Sequence, residues 1–297
     1  MEYVANFMTC DLDPAAWAAE REAEGWQVLG CADHIRTDRR SYPHVWVTLA
    51  TMAAAARRPL LTTSFANNLL RSPVEFAQAA LQMQAVSGGR FEAGLGAGWT
   101  RDEIVGAGLA YPEAPERADR YAEAMTVVRA LLRDGACRFT GAHYDIDTPL
   151  IGPRPPQGPP PLVASLGGPK TIRTVAPLVD RVELKLISSA TRDGALQLPL
   201  LADVPRRHLT DLVSRVRAVN ADAPLGVFIL CNVGDDEATR SVERVLGDSF
   251  LGGFFGSAAK VADSMRALAA EGIARVQVSP FTDASFPPLA AELFGGG

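Results

Sequence analysis

The chain has 297 residues, 47% of them hydrophobic and 21% charged, with a net charge of −5. That balance excludes a disordered tail, and no dense Lys/Arg block is present to neutralise a phosphate backbone, so no nucleic-acid partner is expected. Cys10, Cys31, Cys137 and Cys231 lack C-x-x-C spacing, which argues against a zinc site or a disulfide framework and fits a reducing compartment. The N-terminal residues lack the pattern of a signal peptide, and no apolar run approaches the roughly 20 residues that span a bilayer. The expectation is a cytoplasmic protein with no membrane association. Of the 29 basic residues only Lys170, Lys185 and Lys260 are lysines, a bias towards Arg that agrees with a GC-rich genome.

In chain order, residues 3–8 read as a strand, and Asp13-Pro14 supplies a cap and a first-turn proline for a helix over 15–24 that Gly25 ends. A strand over 26–31 runs into Ala32-Asp33-His34. A helix over 45–56 stops before Pro59, a strand follows over 60–65, and Ser72-Pro73 opens a helix to Val86. After Gly88-Gly89, residues 90–95 form a fourth strand that leads into Gly96-Ala97-Gly98. Residues 100–160 break the rhythm with a longer helix over 116–133, a hairpin around Gly141 and a Pro/Gly-rich run, and read as an insertion. The alternation then resumes with strand 162–166, helix 169–177, strand 181–187, helix 205–220 and strand 226–232, and helices over 235–246 and 257–271 precede a last strand over 275–280. Eight strands in β/α alternation imply parallel pairing through right-handed crossovers. The expected fold is an α/β (β/α)8 TIM barrel, a single domain over 1–297 with an insertion between strands 4 and 5. A doubly wound sheet is the alternative, but Thr9-Cys-Asp-Leu-Asp13 has no glycine where its fingerprint would stand.

In such a barrel catalytic groups gather where strands end, at the C-terminal face. His34 follows the second strand, and an imidazole there can pass protons near neutral pH; a surface histidine held by Asp33 is the other reading. Asp33 itself can orient the loop or contact a ligand. His44, His143 and His208 fall on helix or hairpin edges and read as solvated. Ser165-Leu166-Gly167-Gly168 ahead of Pro169 would present free N–H groups and a helix N-terminus to a phosphate, with Lys170 or Arg173 adding charge, or would be a plain tight turn. Gly96, Ala97 and Gly98 let a flat ring approach the backbone or mark a turn with positive φ. Trp99 lines the pocket or the barrel lip. On the sixth strand, Arg181, Glu183 and Lys185 share one face, and charges inside a barrel must be paired, so a Glu183–Lys185 ion-pair layer with a partner from a neighbouring strand is expected there.

With these strand ends in hand, the chain resembles the luciferase-like monooxygenase superfamily, above all its short actinobacterial oxidoreductases that use the deazaflavin coenzyme F-420. The resemblance rests on Ser87-Gly-Gly-Arg-Phe-Glu-Ala-Gly-Leu-Gly-Ala-Gly-Trp99 with Glu103 and 117–123, and on Arg71-Ser-Pro73 with Glu75. Ala32-Asp33-His34, 139–144 and Pro161-Leu-Val-Ala-Ser-Leu-Gly-Gly-Pro169 add to it. It implies a deazaflavin, or alternatively FMN, at the C-terminal mouth, backed by a non-prolyl cis peptide at Ser64-Phe65. Asn67 would contact the cofactor, the Ser165–Gly168 turn would take its phosphate, and Asp33 and His34 would form the site pair, His34 handling the proton. It also implies a small-molecule substrate, hydride transfer or monooxygenation, and a homodimer, to which the apolar helix over 45–56 is suited. A barrel that has lost its redox role is the reading from another class. Two departures stand out. Trp99 occupies the place where the sugar-phosphate dehydrogenases of the superfamily carry a carboxylate, and Arg181 follows Asp180 where the family has small residues. The first disfavours sugar-phosphate oxidation. Residues 35–44, 100–115 and 188–204 are the variable loops in which substrate identity lies.

Overall fold

The first helix, α1 (Pro14–Glu24), forms as its sequence dictates. The Asp13 carboxylate accepts the N–H groups of Ala15 and Ala16, Pro14 occupies the first turn, and Gly25 ends the helix at φ 97°. The same logic recurs in α3 (Pro73–Val86), where the Ser72 hydroxyl accepts the Glu75 N–H. A computed structural model describes residues 1–37 and 40–295 of the chain; residues 38 and 39 of the 35–44 loop lie outside the described residues.

Eight parallel strands build the core: β1 (Glu2–Phe7), β2 (Val28–Cys31), β3 (Leu60–Thr63), β4 (Phe91–Gly96), β5 (Leu162–Leu166), β6 (Arg181–Leu184), β7 (Leu225–Val233) and β8 (Arg275–Pro280). Each pairs with its successor, and β8 returns to β1 with Glu2 opposite Arg275 and Ala5 opposite Val278. The sheet therefore closes on itself and has no open edge, which sets aside the doubly wound alternative. Most strand interiors are buried apolar residues, as expected for strands covered on both faces.

The expected insertion resolves into two parts. Helix α5 (Ala114–Asp134) packs between α3 and α6 (Pro169–Val175) and is the barrel's own fourth helix. The added material is a short helix, α4 (Arg101–Gly106), and an antiparallel hairpin pairing Cys137–Thr140 with Asp145–Thr148. Glu123 of α5 anchors the hairpin tip by accepting the N–H groups of Ala142, His143 and Tyr144.

Part of the charge inside the barrel is paired, by partners other than the Glu183–Lys185 pair expected. Arg275 on β8 holds Glu92 on β4 and also reaches Glu2 at 2.8 Å, while Arg181 lies 3.7 Å from Glu92. Glu183 and Lys185 form no pair. Glu183 is buried against bare Gly226 of β7, and Lys185 stands beyond the end of β6 at the mouth, so the two side chains occupy different levels of the barrel. Burial pushes the Glu183 carboxyl up to about 8 against the pull of Arg275 and Arg181.

A helix not foreseen from the sequence, α11 (Phe286–Phe294), completes the outer layer. Its Phe286 meets Trp26 edge-on at 5.3 Å and Trp17 at 5.6 Å, and its Phe294 meets Trp26 at 5.4 Å. Trp17 donates its indole N–H to Asp283, so an aromatic seam locks the final βα unit onto the first.

Candidate active site

The C-terminal mouth gathers the residues singled out from the sequence. Asp33, just past β2, is buried and fully engaged. Its Oδ2 accepts the Asn67 N–H at 2.9 Å and Arg71 Nε at 3.1 Å, and its Oδ1 accepts Arg71 Nη2 at 2.8 Å. The bidentate pair fixes the loop after β3 against the loop after β2.

That loop carries the Ser64–Phe65 peptide, which is cis as the resemblance implied. The chain then forms a two-residue strand, Ala66–Asn67, alongside Leu95 and Gly96. Phe65 lies over β4, where an added Cβ at Gly94 would come within 2.2 Å of the Thr63 carbonyl and 2.9 Å of the Phe65 ring. Gly98 has φ 82°, and a Cβ there would stand 2.4 Å from Asn67 Oδ1. Both conformation and space require glycine at that position. Gly96 also sits against Phe65, and Ala97 is half-buried beside it. The side-chain Oδ1 of Asn67 accepts the Leu69 N–H at 2.9 Å; among the described residues its side-chain Nδ2 donates to none.

His34 is the one histidine held by a buried acid. Its Nδ1 lies 2.7 Å from Oε1 of Glu103, whose side chain is 0% exposed, and the other Glu103 oxygen accepts the Ile35 N–H at 2.9 Å. Helix α4 supplies this carboxylate. The imidazole is half-open to the mouth, 17% exposed, with Tyr42 at 5.0 Å on one side and Trp99 edge-on at 5.7 Å on the other. A carboxylate that takes the Nδ1 proton leaves Nε2 as the nitrogen that can exchange a proton with a ligand. His44 is exposed, with Nε2 3.4 Å from Arg71 Nη1, and His143 and His208 are half-buried rather than solvated as expected.

The turn after β5 divides its glycines between two uses. At Gly167 a Cβ would meet Ser188 Oγ at 1.8 Å and the Lys185 carbonyl at 2.6 Å, so its bareness admits the loop after β6. Gly168, the residue before α6, is open apart from Thr171, with Ser165 and Leu166 leading into it. Lys170 is tied to Asp119 at 2.7 Å and Arg173 lies outside, so neither supplies charge to the turn. Deeper in the barrel, Asn6 Oδ1, an acceptor, and Ser64 Oγ, a hydroxyl that can donate or accept, are buried without partners, and both residues flank Gly30. No cluster of metal-ligating side chains occurs among the described residues.

Fold and site together place two glycines that bring backbone to the wall of the mouth, unpartnered polar atoms beneath it, and an acid-held histidine at its rim. The chain belongs to the luciferase-like monooxygenase family, whose model matches residues 14–240. Curated relatives include an F-420-dependent glucose-6-phosphate dehydrogenase of Amycolatopsis mediterranei, 32% identical over 53% of this chain and 48% of that one. Another, from Microbacterium testaceum, is 28% identical over 61% of this chain and 55% of the relative. The chain thus spans about half the length of the curated relatives it matches. An F-420-dependent secondary alcohol dehydrogenase bound to an F-420–acetone adduct superposes at TM-score 0.74 and 16% identity over 98% of both chains. A monooxygenase of Streptomyces bottropensis does so at 0.76 and 16% over 99% of both, which establishes the shared fold.

Glu103 is the functional residue that site reasoning passed over. It was visible as part of the family-like stretch, but it lies 69 positions from His34 in a segment read as a variable loop. Arg71, the partner of Asp33, was likewise visible only as a motif.

Proposed function

We propose that this chain is an oxidoreductase that transfers hydride between coenzyme F-420 and a small organic substrate. The observation that carries the reading is the His34–Glu103 pair, held at 2.7 Å beside the mouth's glycine-lined wall. The F-420-dependent curated relatives support the choice of cofactor over the matched half. Bound reduced deazaflavin supplies a hydride. Asn6 and Ser64 would meet its polar edge, Gly96, Ala97, Gly98 and Phe65 would admit and back its ring, and Asn67 would donate its free amide. The Ser165–Gly168 turn would take its phosphate on backbone N–H groups. Glu103 keeps the imidazole in one tautomer and orientation, and His34 Nε2 gives or takes the proton that accompanies hydride transfer. Trp99 closes the wall where a sugar-phosphate enzyme of this superfamily would carry its acid, so another alcohol or carbonyl compound is the expected substrate class.

Titration of the protein with F-420 and with FMN tests the reading. Tight F-420 binding is expected. FMN binding without F-420 affinity would make the chain a monooxygenase using reduced FMN and oxygen, and binding of neither would make it a non-catalytic barrel.

The protein is further read as one domain, working in the cytoplasm as a homodimer. The four free cysteines support the compartment. Helix α2 (Val45–Ala55) supports the dimer, because Val47 is 66% exposed and Ala50 and Ala54 lie open on the same helix. Light scattering should return a dimer for the wild type and a monomer for Val47→Glu; two monomers would remove the assignment.

A further inference from the structure

We infer that Lys185 is the fixed cation of the barrel mouth and, seated on Trp99, holds a phosphate or carboxylate group of the molecule bound against His34. The inference rests on the oxidoreductase reading above. Its first support is position. The Lys185 N–H donates to the Leu166 carbonyl at 2.8 Å, and its own carbonyl accepts the Ser188 hydroxyl at 2.9 Å, packed where Gly167 has no side chain. The backbone is thereby pinned beside the Ser165–Gly168 turn. The side chain then reaches Trp99, with Nζ 5.3 Å from the ring centroid, and the same ring meets His34 edge-on at 5.7 Å. One cation thus bridges the turn and the catalytic histidine's wall.

The second support is the missing counter-charge. The chain's other two lysines each hold an acid, Lys170 with Asp119 at 2.7 Å and Lys260 with Glu243 at 3.0 Å. Among the described residues Lys185 has no carboxylate within 4.0 Å and no hydrogen-bond acceptor for Nζ. Burial, with the nearby Arg117 charge adding to it, pulls its pKa down to about 8. The ammonium thus meets the mouth with the Trp99 ring as its neighbour, and a ligand oxyanion is the group that would complete its pairing.

The test compares wild type, Lys185→Met and Lys185→Arg by equilibrium titration with four ligands. These are F-420 and Fo, the same deazaflavin without the phosphate-bearing side chain, and FMN and riboflavin. If the anion is the cofactor's phosphate, Lys185→Met weakens F-420 or FMN about tenfold and leaves Fo and riboflavin unchanged, and Lys185→Arg recovers most of the loss. If the anion belongs to the substrate, all four titrations stay unchanged, and inorganic phosphate raises the Tm of Fo-loaded wild type but not of the loaded Met variant. A Met variant that matches wild type in every arm overturns the inference, as does equal weakening of ligands with and without phosphate, which marks a structural role. If wild type binds none of the four, the proposed function fails. Lys185 is then judged on the unloaded protein with inorganic phosphate, where a Tm rise confined to wild type sustains it and any other result overturns it.

Discussion

In the proposed reaction, proton transfer at the mouth comes down to one imidazole and the acid that holds it. Because Glu103 engages both His34 Nδ1 and the Ile35 N–H, it fixes ring and loop together. Glu103→Gln keeps the shape but removes the charge that stabilises an imidazolium, and should lower hydride-transfer kcat by about 10²-fold while cofactor affinity changes little. Stopped-flow reduction of F-420 measures both; an unaltered rate would detach Glu103 from the chemistry. His34 and Asp33 were readable from the sequence because both follow a strand, and strand ends are where a barrel presents its reactive groups. Their partners were not, since Glu103 and Arg71 come from 69 and 38 positions away. Helix α4, only six residues long, is also too short to show an apolar period.

At the scale of the elements, β3 and β4 approach so closely that Gly94 leaves no room for a methyl group. Thr63 Oγ1 bonds both the N–H and the carbonyl of Gly94, at 2.9 Å and 2.6 Å. Gly94→Ala should therefore cost roughly 1–3 kcal/mol in urea unfolding and displace Phe65, weakening cofactor binding as well. The interior charges of β4, β6 and β8 give a pH signature. Glu183 loses its proton near 4.5 in the unfolded chain and near 8 in the barrel, so between those values the folded state binds more protons and stability falls as pH rises. Glu183→Gln removes that slope. Melting curves from pH 5 to pH 8 should show the variant gaining on wild type, and parallel curves would assign Glu183 an ordinary pKa. Strand alternation disclosed that these side chains share an interior, but which charge meets which depends on the stagger between strands, which no local pattern encodes.

For the molecule as a whole, α11 is the longest element that period and capping did not announce, because Pro287-Pro288 in its first turn resembles a loop. Its energetic role is nonetheless large. Phe286 is fully buried between Trp17 and Trp26, and Phe286→Ala should destabilise the fold by about 3–5 kcal/mol, read from chemical denaturation. A loss under 1 kcal/mol would mean the seam is incidental. The barrel itself was legible because β/α alternation constrains topology strongly, whereas the seam joins residues whose contact arises only on closure.

The Glu92–Arg275 pair carries a consequence for the order of events in folding. Its members are separated by 183 positions, and no residue nearer in the chain pairs with the Glu92 carboxylate in the same bidentate way. A growing or partly assembled sheet that already encloses β4 holds an acidic side chain in its interior with only the more distant Arg181 to answer it. A half-barrel that ends before β8 thus lacks this partner for Glu92, and the pairing is completed only when the last strand closes the sheet on the first.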